Sequence, residues 1–167
     1  MPAKCIRRIE GASKMRIIKF YKVQEPFGCF SNFAAYPIEV DGRVWPTSEH
    51  YFQAQKFAGT EFEEEIRLVK SPMIAARMGR DRSKPLRADW EQVKDEAMRR
   101  AVLAKFTQHE QLRDILLATG EALLVEHTRN DSYWGDGGDG RGRNMLGQIL
   151  VSVREELREG GKLPSNF

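Results

Sequence analysis

A carboxylate, an amide and an amine share one face of a predicted helix in the stretch WPTSEHYFQAQKF, residues 45–57. At about 100° per residue, Glu49, Gln53 and Lys56 lie within roughly 60° of one another. A Glu and a Lys at this spacing often form only a solvated stripe. Here aromatic residues border the stripe on nearly every side, so we expect a mostly buried helix whose charges need a partner or a chemical purpose. The stretch is therefore the predicted floor of an active site.

The signals that begin a helix stand at the start of the same stretch. Pro46 supplies a fixed φ, and either Thr47 or Ser48 supplies a side-chain acceptor for the first turn. Glu49 adds a negative charge near the positive end of the helix dipole. These signals predict that the helix begins just ahead of the polar face.

A second candidate region is the glycine-rich segment NDSYWGDGGDGRGRN, residues 130–144. A segment of this kind that ends at a helix start, here with Asn144 as candidate N-cap, can present backbone N–H groups to an anion. Its spacing matches neither GxGxxG nor GxxxxGKS/T, so no Rossmann or Walker site is predicted. Counted from Asp131, the position where a calcium loop needs a bidentate Glu is Gly142. A flexible surface connection is the alternative interpretation.

Two adjacent rings within this segment argue against a plain surface connection. Tyr133 and Trp134 lie between the carboxylates of Asp131 and Asp136. We expect one ring to stack on a ligand or to plug the core, and the carboxylates to face a pocket.

Basic residues and a tryptophan add further candidates. Guanidinium groups match phosphate oxygens bidentately, so the basic run between residues 77 and 87 is either a phosphate-facing loop or, more commonly, solvated surface. Trp90 is either the start of a core stripe or a stacking platform, and its helical spacing favours the core slightly. The basic run comprises Arg77, Arg80, Arg82, Lys84 and Arg87.

Metal and disulfide chemistry are not predicted. Cys5 and Cys29 show no CxxC spacing, and the histidines at positions 50, 109 and 127 lie far apart.

Length and composition predict one compact domain. The chain has 167 residues, of which 41% are hydrophobic and 31% charged. Its net charge of +3 is too small to predict an extended nucleic-acid footprint. No apolar run approaches the roughly 20 residues of a membrane span or the core of a signal peptide, so a reduced cytoplasm is the expected compartment.

The order of predicted elements gives an α+β chain. We expect a loose arm over residues 1–14, a domain over residues 15–160 and a tail over residues 161–167. Strands are predicted at Met15–Val23, Tyr36–Val40, Arg43–Trp45 and Glu121–Thr128, with a hairpin turn at Asp41 and Gly42. Besides the helix that carries Glu49, helices are predicted around residues 62–69, 72–78, 89–107 and 112–119, and from residue 145 to a stop at Gly160.

Several separated motifs occur together in the order found in one family, and the chain resembles the NADAR, or YbiA-like, N-glycosidases over about residues 15–157. The motifs are FG at 27–28, SNF at 31–33, WPTSEHYFQAQKF at 45–57, Trp90, ND at 130–131, YWGDG at 133–137 and NMLG at 144–147. The resemblance implies a compact, helix-dominated α+β domain with a small antiparallel β-sheet, and neither a metal nor an organic cofactor.

The resemblance also implies an activity. Close members of this family hydrolyse the N-glycosidic bond of phosphorylated ribosylamino-pyrimidine intermediates of riboflavin biosynthesis and release ribose 5-phosphate, so the expected partner is a small phosphoribosyl substrate. Other members remove ADP-ribose from guanine, and only this alternative involves nucleic acid. A non-catalytic module that binds ADP-ribose or NAD is a third possibility, but recognition alone needs no amine beside a carboxylate.

Roles for the candidate residues follow from this chemistry. Glu49 would activate water or stabilise an oxocarbenium-like carbon, while Asp131 or Asp136 would orient the ribose hydroxyls or share the acid–base work. In a second route, Lys56 attacks C1′ of the ring-opened sugar and forms a Schiff base.

The same reasoning assigns residues to substrate binding. Trp90 or Trp134 would stack on the base. Either the group of Arg80, Arg82 and Arg87 or the glycine-rich segment would hold the phosphate. Asn32, in the SNF motif, and Asn144 complete the predicted substrate-binding set.

Overall fold

The computed structural model describes residues 14–160. The tail predicted over residues 161–167, and all but the last residue of the arm predicted over residues 1–14, lie outside the described residues.

Six helices and four short strands make up the regular structure of this part of the chain. The helix-dominated α+β class is confirmed. In chain order the elements are β1 (Ile17–Phe20), β2 (Ile38–Val40), β3 (Arg43–Trp45), α1 (Ser48–Gln55), α2 (Glu61–Arg67), α3 (Pro72–Arg80), α4 (Trp90–Gln108), α5 (Glu110–Ala118), β4 (Leu123–Glu126) and α6 (Met145–Arg158), with a 3-10 turn at Gly28–Phe30 after β1.

The strands form two separate pairs. β2 and β3 are the predicted antiparallel hairpin, with Ile38 opposite Trp45. β1 pairs with β4 in parallel, with Ile17 opposite Leu123 and Phe20 opposite Glu126. The sequence analysis did not predict this parallel pair, because alternation within a strand does not identify a partner so distant in the chain.

The two outer strands are shorter than predicted. β1 ends at Phe20, and soon afterwards the backbone turns, with the Glu25 N–H donating to the Lys22 carbonyl at 3.1 Å. β4 ends at Glu126, whose carbonyl accepts from the N–H of Asp136 at 2.9 Å in the glycine-rich segment. The turn after β1 and the glycine-rich segment after β4 therefore take the place of the further strand-to-strand hydrogen bonds that longer strands would need.

Helix α1 lies in the middle of the molecule. Thr47 is its N-cap, and its side chain accepts from the backbone N–H of His50, which decides between the two candidate caps. Residues 48–54 of this eight-residue helix are all buried. The prediction of a helix buried on most sides is confirmed.

Helices α1 and α4 each contribute to two hydrophobic clusters. Phe52 and Val102 belong to one, which also contains residues of β1, β4 and α6, and Ala54 and Ala104 belong to the other, which contains the β2–β3 hairpin. Small residues on α4 allow close packing of its neighbours. The polar face of α1 is therefore held by a core on both sides.

A lysine of α4 is buried within this core. Lys105 of α4 is 1% exposed, and its Nζ donates to the carbonyl of Ser31 at 2.9 Å. The same Nζ lies 5.7 Å from the ring centre of Tyr36 and 5.5 Å from that of Phe106. Loss of hydration disfavours the ammonium, and burial lowers the pKa of Lys105 to about 7.

The Lys105→Met variant should reveal this buried cation through the pH dependence of stability. Between pH 7 and about 10, the unfolded chain retains the lysine proton that the folded chain gives up, so the parent gains stability as pH rises. The free energy of unfolding of the variant minus that of the parent should therefore fall across this window, by at most about 1.4 kcal/mol per pH unit. Urea unfolding of both proteins at several pH values measures it.

Lys19→Met provides the matched control, because Lys19 is exposed on β1. A difference between Lys105→Met and the parent that stays constant from pH 7 to pH 10 would contradict the expectation.

Candidate active site

A cavity of about 370 Å³ opens between α1, α3, the start of α4 and the loops that follow β1 and β4. This volume lies within the range of sites for small molecules. Within residues 14–160 no helix is both long and apolar enough to span a membrane, and no group of His, Cys, Asp or Glu side chains is placed to hold a metal ion.

The cavity wall combines acidic, basic, amide and aromatic side chains. Four carboxyl groups and three cationic groups line the same space. The acidic residues are Glu49, Glu91, Glu126 and Asp131, the basic residues are Lys56, Arg80 and Lys94, the amides are Asn32, Gln53 and Asn130, and the rings are Tyr21, Phe33, Phe52, Trp90, Tyr133 and Trp134.

The predicted polar face of α1 and its C-cap forms one side of the cavity. Gln53 Nε2 donates to Glu49 Oε1 at 2.7 Å, and Lys56 Nζ donates to the carbonyl of Gly79 at 3.2 Å. Gly79 of α3 packs so closely on this face that a Cβ there would lie 1.8 Å from Gln53 Oε1. The absence of a side chain at Gly79 therefore lets α3 deliver its carbonyl to Lys56.

Burial moves both ionisable groups of this face toward their neutral forms. It lowers the pKa of Lys56 to about 8, aided by the charge of Arg82 and opposed by that of Glu49. Burial also raises the pKa of Glu49, although the hydrogen bond from Gln53 opposes this shift. At pH 7, about a tenth of Lys56 is neutral and able to act as a nucleophile.

The loop after β1 fixes the start of α1. The carbonyl of Asn32 accepts from the backbone N–H of Glu49 at 3.2 Å, and Asn32 Oδ1 accepts from Ser48 Oγ at 2.9 Å. Asn32 Nδ2 contacts Met98 Sδ at 3.1 Å. Asn32 thus lies in the cavity wall, but its side-chain amide contacts Ser48 and Met98. Its role in this structure is to position Glu49.

Both predicted stacking residues lie in the cavity wall. Trp90 is 6% exposed and lies 5.3 Å from Phe52 between ring centres, so it is a core residue that also faces the cavity. Trp134 lies 5.1 Å from Phe52 and is only half-buried. Lys56 Nζ is 5.9 Å from the centre of the Trp90 ring, so the amine and the aromatic wall face the same space.

The backbone N–H groups at the end of the glycine-rich segment are bonded within the protein, which argues against the interpretation of this segment as an anion cradle. The N–H groups of Gly142 and Asn144 donate to the carbonyls of Asp136 and Gly135 at 2.8 and 2.9 Å. At the start of α6, the N–H of Met145 donates to the carbonyl of Tyr133 at 3.0 Å. These donors are engaged within the protein, so a phosphate would find them occupied.

Three predicted site residues lie outside the cavity wall. Asp136 accepts from His127 Nδ1 and from the N–H groups of Thr128 and Gly138, so it holds the loop together. Arg82 Nη1 donates to the same Gly79 carbonyl as Lys56, at 2.9 Å.

The third of these residues is Asn144, which occupies the N-cap position of α6 without a side-chain capping bond. Its Oδ1 accepts from the N–H of Glu126 at 3.0 Å, and its Nδ2 donates to the carbonyl of Leu124 at 2.9 Å. The predicted cap therefore ties α6 to the end of β4 instead. Asp131, by contrast, does line the cavity, although its Oδ1 also accepts from the N–H groups of Tyr133 and Trp134.

Comparison with known proteins identifies the family. The NADAR domain family matches residues 19–158. The chain belongs to the NADAR family. The resemblance inferred from the motifs is thereby confirmed.

Proteins named as N-glycosidases resemble the chain along most of its length. It is 60% identical over 157 residues to N-glycosidase YbiA of Escherichia coli, covering 94% of this chain and 98% of that protein. It is 49% identical over 144 residues to N-glycosidase Npun_R5314 of Nostoc punctiforme, covering 84% of this chain and 92% of the relative. The NMR structure of E. coli YbiA matches with a TM-score of 0.82 at 61% identity, covering 92% of this chain and 91% of that one.

A third relative is a longer protein. Riboflavin biosynthesis protein VVA0006 of Vibrio vulnificus is 46% identical over 142 residues, which cover 85% of this chain and 39% of that protein.

The sequence analysis did not single out three charged cavity residues, Glu91, Lys94 and Glu126. Lys94 follows Trp90 by one helical turn, so their shared helix face was a usable signal. Glu126 lies at the end of β4, where only a carboxylate in an otherwise apolar strand, next to the glycine-rich segment, hinted at a site.

Truncating the two tryptophans of the NADAR cavity should separate packing from substrate contact. Trp90→Ala removes a buried ring and should cost about 3–5 kcal/mol of stability. Trp134→Ala should cost less stability, because Trp134 is half-buried, and should raise KM if the ring stacks on the substrate. Thermal melts and Michaelis curves distinguish the two effects. Equal melting losses with unchanged KM would show that both rings serve only the core.

Proposed function

We propose that this chain is an N-glycosidase that hydrolyses phosphorylated ribosylamino-pyrimidine intermediates of riboflavin biosynthesis and releases ribose 5-phosphate. The names of its YbiA and Nostoc relatives support the reaction type, and the name of its Vibrio relative supports the pathway. The observation that carries the proposal is the buried pair of Glu49 and Lys56, a carboxylate and a lysine of lowered pKa, facing one aromatic-walled cavity.

The first route for this reaction uses Glu49 and water. Cleavage of the bond from C1′ to nitrogen develops positive charge on C1′ and negative charge on the leaving nitrogen. The Glu49 carboxylate stabilises C1′ and accepts a proton from the attacking water, whose oxygen bonds to C1′. The bonding electron pair leaves with the nitrogen, which must be protonated.

The second route uses Lys56 as a nucleophile. When the sugar ring opens, neutral Lys56 Nζ adds to C1′ and displaces the pyrimidine amine, which leaves a Schiff base. Water then adds to the Schiff base, releases ribose 5-phosphate and restores the free amine. The pKa of about 8 makes this route available near neutral pH.

Arg80 is the best placed group for the substrate phosphate. It lines the cavity and, among the described residues, has no ion-pair partner. Arg87 is paired with Asp89, and Lys94 with Glu91. A guanidinium that faces the cavity without a carboxylate partner is suited to a bidentate phosphate contact.

The direct test is to incubate the protein with the two ribosylamino-pyrimidine phosphates and, separately, with ADP-ribosylated guanosine. Mass spectrometry should detect ribose 5-phosphate from the pyrimidine substrates. Glu49→Gln should fold like the parent and lose roughly a hundredfold or more in kcat. Release of ADP-ribose from guanosine alone would replace the proposed substrate, and a Glu49→Gln variant with more than half the parent kcat would remove Glu49 from the mechanism.

The two routes differ in what borohydride can trap. If Lys56 forms a Schiff base, borohydride added during turnover should attach a reduced pentose phosphate to the peptide that contains Lys56. Lys56→Arg should then abolish both adduct and activity, as peptide mass mapping and a rate assay would show. Lys84→Arg is the control, because Lys84 pairs with Glu65 away from the cavity wall. Substantial turnover by Lys56→Arg without any adduct would leave the Glu49 route alone.

A further inference from the structure

Both routes need a proton for the leaving nitrogen, and neither Glu49 nor Lys56 begins its route with an acidic proton to give. Glu49 accepts a proton in the first route, and Lys56 must be neutral in the second. The donor must then be another acidic residue of the cavity wall. Asp131 already accepts two backbone N–H bonds through Oδ1, at 2.8 and 2.7 Å, and Glu91 is paired with Lys94, so both carboxyl groups are engaged within the protein.

Glu126 is in a different situation. It reaches the cavity from the end of β4, so its carboxyl approaches from a different element than Glu49 of α1. Among the described residues, its carboxyl oxygens have no hydrogen-bond donor and no cationic partner within ion-pair distance. A carboxyl group that is free of such partners and half-buried is able to keep its proton.

The backbone around Glu126 is held from both sides. Its N–H donates to Asn144 Oδ1 at 3.0 Å, and its carbonyl accepts from the N–H of Asp136 at 2.9 Å. Gly147 of α6 lies so close to this strand that a Cβ there would be 2.0 Å from the Leu124 carbonyl. The glycine-rich segment and the start of α6 thus hold the end of β4, which carries Glu126, in place.

We propose that Glu126 is the catalytic acid that protonates the leaving nitrogen. This inference rests on the proposed function. The carboxyl proton of Glu126 passes to the pyrimidine amine as the bond from C1′ to nitrogen breaks, and the electron pair of that bond stays with the nitrogen. Glu126 is left as a carboxylate and recovers a proton through water at the cavity mouth, while the proton released at Glu49 in the first route, or at Lys56 Nζ in the second, returns to the same water. The transfer is the same whether water or Lys56 attacks C1′.

The charges that face Glu126 favour this protonated state. Burial raises the pKa of Glu126 to about 8, with further contributions from the negative charges of Asp131, Glu49 and Asp136. These groups lie on the glycine-rich segment and on α1, the elements that surround it. The cations of the same cavity, Lys56, Arg80 and Lys94, belong to the α1, α3 and α4 side. At pH 7 the carboxyl therefore carries a proton that it can donate.

The test compares Glu126→Gln with the parent over a range of pH. The parent rate should fall above pH 8 as Glu126 ionises. The variant should lose roughly a hundredfold in kcat, the contribution of a general acid, and should lose that alkaline fall while its KM changes little. A merely structural role would lower the rate without removing the alkaline limb. Circular dichroism and thermal melts establish that the variant folds.

Two controls make the result decisive. Glu121→Gln changes an exposed carboxyl just ahead of β4 and should keep the parent rate and pH profile. If Glu126→Gln fails to fold, Glu126→Asp, which keeps the acid but shortens its reach, should fold and retain the alkaline limb at reduced kcat.

Each outcome has a distinct meaning. A parent that releases no ribose 5-phosphate overturns the proposed function. An active parent with a Glu126→Gln variant that keeps more than half its kcat and the same alkaline limb overturns the role of Glu126 and leaves the proposed function standing.

Discussion

The structure depends on the cost of burying an ionisable helix face. Glu49 receives one amide hydrogen bond and Lys56 one carbonyl, so neither group replaces the full hydration that it loses on folding. As a result, burial raises the pKa of Glu49 and lowers that of Lys56, and both shifts favour the neutral form of the group. The unfilled hydrogen-bonding capacity faces the cavity, where polar groups of a substrate can complete it. A site that is costly in the free protein is thereby matched to a polar ligand.

Contacts between segments that are distant in the chain hold this face in place. The loop after β1 fixes the backbone of Glu49 through Asn32, and buried Lys105 of α4 fixes the same loop through the Ser31 carbonyl. On the far side of the cavity, the parallel pair of β1 and β4 and the amide of Asn144 fix the strand end that carries Glu126. Each wall therefore comes from a different part of the chain, and the cavity exists only when the whole domain has folded.

The sequence predicted the features that depend on neighbouring residues and missed those that depend on contacts between distant segments. The cap at Thr47, the hairpin and the periodicity of the helices depend on residues close in the chain, and these predictions hold. The parallel strand pair, the role of Asn144 and the engaged N–H groups of the glycine-rich segment depend on partners far away, and sequence patterns do not report them. Glu126 was missed for the same reason, because its surroundings are built by α1 and by the loop that returns past it. Arg82 was predicted to bind the phosphate because it is an arginine in a basic run, but its guanidinium donates to the Gly79 carbonyl outside the cavity wall.

The position of Arg82 affects whether Lys56 stays neutral when the proposed substrate is bound. The charges of Arg82 and Arg80 both lower the pKa of Lys56. A phosphate bound by Arg80 would neutralise one of these charges and favour the ammonium form of Lys56. Arg82 donates to the same Gly79 carbonyl as Lys56 but does not line the cavity, so a ligand there leaves its charge unpaired. In the proposed function, Arg80 would therefore hold the phosphate while Arg82 continued to favour the neutral amine, which would separate binding of the anion from activation of the nucleophile.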